Sequence, residues 1–84
     1  MTDPSWLEEG GALIRTFSFD TYAQGAAFVA RVAALADERN HHPEVLLGYK
    51  TVTVETTSHD ADNSVTDRDR RLAQAIDALY LGKA

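Results

Sequence analysis

Along the chain the spacing of apolar residues switches between about two and about 3.6 residues, the periods of strand and helix. Trp6 to Glu9 can form a short strand, and Gly10-Gly11 supplies a two-residue hairpin turn. Ala12 to Phe19 follows as a second strand, with Leu13, Phe17 and Phe19 on one face and Ile14, Thr16 and Ser18 on the other; Arg15 breaks the apolar face. Asp20 is placed to cap a long helix from about Thr21 to Glu38. Its stripe is Tyr22, Phe28, Val29, Val32, Leu35 and Ala36, read as core, and Gly25 costs it about 1 kcal/mol relative to alanine.

Pro43 forces the helix to end before it, because the residue preceding a proline is pushed out of the helical region. Val45 to Tyr49 is then a strand. Thr51 to Thr57 is the next, with Val52 and Val54 facing one way and Thr51, Thr53, Glu55 and Thr57 the other. Ser58 to Val65 is polar and reads as a loop. Thr66 can cap a last helix in which Asp69 reaches back or favours the positive helix end. Leu72, Ala75, Ile76 and Leu79 form its stripe and Gly82 its end. The order β-β-α-β-β-α predicts an α+β fold: a four-stranded antiparallel sheet with both helices on one face.

At 84 residues the chain is expected to form a single domain, residues 1–84, whose modest core gains from self-association. Its net charge of −5 disfavours direct nucleic-acid binding; Arg68, Arg70 and Arg71 sit among Asp67 and Asp69, a mixed, solvated helix start. There is no cysteine, which excludes disulfides and thiolate chemistry. No signal peptide or membrane span is read, and a cytoplasmic location is the default.

The chemistry lies in the histidines. All three of them, His41, His42 and His59, fall in one part of the topology. The start of one strand and the end of the next are neighbours in an antiparallel hairpin, so the imidazoles converge at one end of the sheet. Histidine gives and takes protons near neutral pH, with an ordinary pKa of about 6.5. Asp69 can reach the same end and fix an imidazole tautomer, and Asp37, four residues before His41, is placed to orient that ring. Three imidazoles and a carboxylate could also ligate zinc, but adjacent histidines in an extended segment point to opposite faces. Ser58 beside His59 lacks the turn and oxyanion signature of a nucleophile.

Together these features resemble the pterin-4a-carbinolamine dehydratase family. Three residues separate Asp37 from His41-His42-Pro43, Tyr49 fills an aromatic position, and His59 and Asp69 follow. F-S-F before the long helix, A-x-F-V-x-R-V-A within it and H-H-P-E after it extend the likeness from about Trp6 to the end. Val45 stands where the family typically has tryptophan. The loop between His59 and Asp69 is about one residue longer than usual, with Asp67 as the fallback aspartate, and the family's N-terminal helix is expected to be missing.

The resemblance implies dehydration of a 4a-hydroxy-tetrahydropterin to the quinonoid dihydropterin by general acid–base catalysis, without metal or redox cofactor. It implies His41 and His42 as the acid–base pair, His59 as a second donor or positioning group, and Asp69 as an orienter. Asp37, Pro43, Glu44, Val45, Tyr49 and Ser58 are the implied substrate contacts, and a homodimer or homotetramer the implied assembly. The alternative is a non-catalytic dimerisation, assembly or regulatory protein on the same scaffold, since fold alone does not decide function.

Overall fold

The computed structural model describes residues 5–62 and 64–82. Strands β1 (Leu7–Glu9) and β2 (Ala12–Ser18) precede helix α1 (Tyr22–Arg39); β3 (Glu44–Leu47) and β4 (Thr51–Thr56) precede helix α2 (Asp67–Leu81). The strands form one antiparallel sheet in the order β1-β2-β4-β3. Both helices cover one face, where Leu13, Phe17, Val52 and Val54 meet Phe28, Val32, Leu72 and Ile76 in the core. The predicted β-β-α-β-β-α order is therefore the observed one. The segment ahead of Ser5, where the family's extra helix would stand, lies outside the described residues, as does Asn63 in the loop before α2.

Local chemistry accounts for the boundaries. Gly10 and Gly11 have φ of 58° and 80°, the left-handed pair that a tight hairpin of this hand requires. The N-cap of α1 is Thr21 rather than Asp20: the Thr21 hydroxyl accepts from the Gln24 N–H. Tyr22, expected in the stripe, is exposed, and Gly25 takes the buried position instead. A Cβ on Gly25 would come within 3.1 Å of Leu47 Cδ1, so the glycine that weakens the helix also lets it approach the sheet closely. In α2, Ala73 is buried beside Leu72 and Ile76, while Ala75 lies at the margin.

Arg15 lies on the helix-covered face, yet it does not break the core. Its guanidinium stacks 4.4 Å from the centre of the Phe17 ring and donates to Asp77 Oδ1 at 2.6 Å. The Trp6 indole N–H donates to the same carboxylate. Asp77 thus ties the far half of α2 to the β1–β2 hairpin.

Candidate functional site

The end of α1 fixes where the first two histidines go. Asn40 adopts the left-handed conformation (φ 51°, ψ 42°), a conformation asparagine tolerates better than most residues. Its N–H donates to Asp37 O, and the His41 N–H donates back to Ala36 O, the paired hydrogen bonds of a Schellman turn. The helix therefore ends at Arg39, and His41 is swung beneath the chain toward α2. His42 is left outside.

His41 meets Asp69. The distance from His41 Nε2 to Asp69 Oδ1 is 2.6 Å, and the aspartate is 0% exposed. The Thr56 hydroxyl donates to the same oxygen at 2.6 Å. On Oδ2, the Ser58 hydroxyl donates at 2.7 Å and the Thr66 backbone N–H at 2.9 Å. The last of these is the reach-back half of a capping box, so the residue that helps cap the start of α2 is also the floor of the site.

This arrangement has a chemical consequence. Burial pushes the Asp69 carboxyl up, but the hydrogen bonds from His41, Thr56, Ser58 and Thr66 outweigh it and hold the pKa at about 2, below the ordinary 3.8. An ionised carboxylate only accepts, so every group around it must donate. Ser58 therefore gives its proton to Asp69, and Thr66 Oγ1, 2.7 Å from Ser58 Oγ, gives its own to Ser58. His41 must carry its proton on Nε2. The other ring nitrogen, Nδ1, has no hydrogen-bond partner among the described residues and is not sealed from solvent. A neutral His41 so fixed presents Nδ1 as a proton acceptor.

A pocket of about 270 Å³ opens above this network, lined by Asn40, His41, His42, Thr57, His59 and Arg68. The three imidazoles are thus brought to one place by the β3–β4 pairing. His42 Nε2 lies 3.0 Å from Asp37 Oδ1, with the two side chains 60% and 80% exposed. Asp37 consequently orients His42, not His41, because the Asn40 turn sends the first histidine inward. His59 opens a single helical turn (His59–Ala61), with Thr57 and Ser58 between it and the end of β4.

The other expected positions fare differently. Asp69 rather than Asp67 occupies the site; Asp67 is exposed. Tyr49 does not reach the pocket: it lies on the β3–β4 turn, at the opposite end of the hairpin from the histidines, and is 75% exposed. Ser58 is buried beneath the site, with its hydroxyl committed to Asp69, so it is a support and not a surface for a ligand. Val45 turns to the core, Glu44 stands on the outer sheet face opposite Glu55, and Pro43 leads from His42 into β3. No group of three or more metal-ligating side chains is assembled among the described residues.

Three residues join the site that its motifs do not single out: Thr56, Thr57 and Arg68. Thr56 carries a signal in the sequence, because the alternation that buries Val52 and Val54 buries it too, and a buried hydroxyl needs a partner. Arg68, whose Nη2 donates to Asn40 O at 2.9 Å, carries none.

The model of the pterin 4 alpha carbinolamine dehydratase family matches residues 1–79. The chain belongs to this family. Among curated members, provisionally named pterin-4-alpha-carbinolamine dehydratases, the protein of Natronomonas pharaonis is 39% identical over 75 residues, covering 89% of this chain and 80% of that one. That of Nitrobacter hamburgensis is 45% identical over 76 residues, covering 88% and 74%. Among solved structures, a transcriptional coactivator/pterin dehydratase from Brucella melitensis superposes with a TM-score of 0.83 at 29% identity, covering 92% of this chain and 83% of that one. A pterin dehydratase-like protein identified as a RuBisCO assembly factor in the alpha-carboxysome gives 0.77 at 32% identity, with 90% and 89% covered. The dehydratase-family fold thus carries both kinds of role. No helix among the described residues is long and apolar enough to cross a membrane.

Proposed function

We propose that the protein dehydrates a 4a-hydroxy-tetrahydropterin to the quinonoid dihydropterin, as a step of pterin recycling in the cytoplasm. The observation that carries this reading is the buried Asp69–His41 pair, which fixes one imidazole tautomer beneath a pocket that two further imidazoles line. In the reaction the C4a–O bond breaks with its electron pair on oxygen, and the N5–H pair becomes the second bond of C4a=N5. His41 Nδ1 takes the N5 proton. Protonated His42 gives its proton to the departing hydroxide, which leaves as water, and His59 positions the ring and its leaving group. A proton returned from His41 to His42 through water resets both groups. Each positioned imidazole contributes about 10²–10⁴-fold. No step calls on a metal or a redox cofactor.

The test is to follow the loss of a 4a-hydroxy-tetrahydropterin with and without protein. Wild type is expected to speed it, and His42→Ala to remove most of the gain; wild type no faster than buffer would reject the reading.

A second reading is favoured by the likeness to the RuBisCO assembly factor: a non-catalytic assembly or regulatory role on the same scaffold. It predicts no acceleration together with stoichiometric capture of a partner from host extract. Under either reading we infer a homodimer or homotetramer. The exposed Leu7 and Leu46 lie on the sheet face that no helix covers, and a sedimentation mass equal to one chain at micromolar concentration would exclude it.

A further inference from the structure

A second pocket, of about 170 Å³, adjoins the histidine pocket and is lined by Arg39, His41, Arg68, Arg71 and Leu72. His41 and Arg68 line both, so the two share a wall. Among the described residues no carboxylate lines the second pocket, in a protein of net charge −5. Arg70 pairs with Glu8 and Arg15 with Asp77, whereas neither Arg39 nor Arg71 forms an ion pair or hydrogen bond through its side chain among the described residues. Three arginines line this one small space, and their like charges repel one another unless an anion lies between them. Helix stability accounts for Arg39, which ends α1, but not for Arg68 and Arg71, because the first turns of α2 disfavour cations.

Pterin chemistry links the two pockets. The side chain of a pterin leaves the ring at C6, the carbon bonded to N5, and N5 is the atom that loses its proton. Whichever residue takes that proton therefore lies beside the root of the side chain. That residue in our reading, His41, is one of the two that border both pockets.

Resting on the proposed reading of the histidine pocket, we propose that the arginine pocket is an anion subsite and that the preferred substrate is a pterin whose side chain carries a phosphate or carboxylate. Arg39 and Arg71 hold the anion, and Arg68, anchored on Asn40 O, bridges the ring and the tail. The size of the pocket fits a single anionic group, its volume being roughly that of five or six water molecules in the liquid.

The experiment uses neopterin and neopterin monophosphate, two stable pterins that differ only in that group, and measures their dissociation constants by fluorescence. The monophosphate is expected to bind about tenfold more tightly, as a charge-assisted contact allows. In the Arg39→Ala/Arg71→Ala double variant the ratio should fall to within about twofold, whereas Lys50→Ala, which removes the same kind of charge at the far end of the sheet, should leave it intact. Equal affinities in wild type, no binding of either pterin, or a ratio unchanged in the double variant would overturn the proposal. Inorganic phosphate binding as tightly as the monophosphate would also overturn it, since the pocket would then be a site for free phosphate. If the affinity ratio holds while no dehydration occurs, the catalytic reading fails and the subsite stands; if dehydration occurs without the ratio, the reverse is true.

Discussion

Helix α2 carries two inward-facing aspartates, eight residues apart (69 to 77), and each ties the helix to a different part of the sheet. Asp77 accepts from Arg15 and Trp6, with the paired Arg15 and Asp77 side chains 18% and 16% exposed. Asp69 accepts from His41, Thr56, Ser58 and the Thr66 N–H and is sealed from solvent. As struts the two are alike. They differ in what their donors can do afterwards. A guanidinium and an indole hold their protons throughout the physiological range, so the Asp77 network can only hold position. An imidazole can release a proton and take one back, so the Asp69 network holds position and leaves a second ring nitrogen able to exchange a proton.

Substitution of the two aspartates should separate these roles. Removing a buried acceptor strands every donor around it, so Asp69→Ala is expected to destabilise the fold by about 3–5 kcal/mol, enough to unfold much of so small a domain. Urea titration followed by circular dichroism would measure it. Asp77→Ala strands Arg15 and the Trp6 indole at a half-open site and is expected to cost about 2 kcal/mol by the same measurement.

Acid should distinguish them as well. With its pKa held at about 2 in the fold against an ordinary 3.8, Asp69 stabilises the folded state above about pH 4. That contribution, about 2 kcal/mol, fades as the pH falls through this window and is gone below the folded-state pKa. Asp69→Asn should remove the Asp69 share of this part of the stability–pH curve, whereas Asp77→Asn should leave that share in place. A wild-type curve already flat between pH 4 and 2 would contradict the assigned hydrogen bonds.

The exposed pair marks the small end of the scale. Asp37→Ala removes a partner of His42 that is largely in solvent, and the stability change should lie within about 0.5 kcal/mol.

Much of this contrast is legible in the amino-acid sequence, and the exceptions follow a pattern. The Gly10-Gly11 hairpin, the Thr66–Asp69 helix start and the valines of β4 are governed by near neighbours along the chain, and they appear as expected. The meeting of three histidines is also legible, because strand order alone dictates it. What local pattern does not carry is pairing between distant side chains. Arg15 reads as a flaw in an apolar face until Asp77, 62 residues away, supplies its partner. Spacing alone pairs Asp37 with His41, whereas one left-handed residue, Asn40, turns that ring inward and leaves His42 to the aspartate. Likeness to a family position puts Tyr49 at the site, yet hairpin geometry holds it at the other end of the sheet.

The most direct measurement compares dehydration of a 4a-hydroxy-tetrahydropterin by wild type, Asp69→Asn and Asp77→Asn, each normalised to the fraction folded. Asp77→Asn is expected to match wild type, while Asp69→Asn, which loses the negative charge and turns one of two acceptor oxygens into a donor, no longer fixes the His41 tautomer and should be slower by about 10²-fold or more. An Asp69→Asn protein as fast per folded molecule as wild type would contradict the assignment of the chemistry to the Asp69–His41 pair.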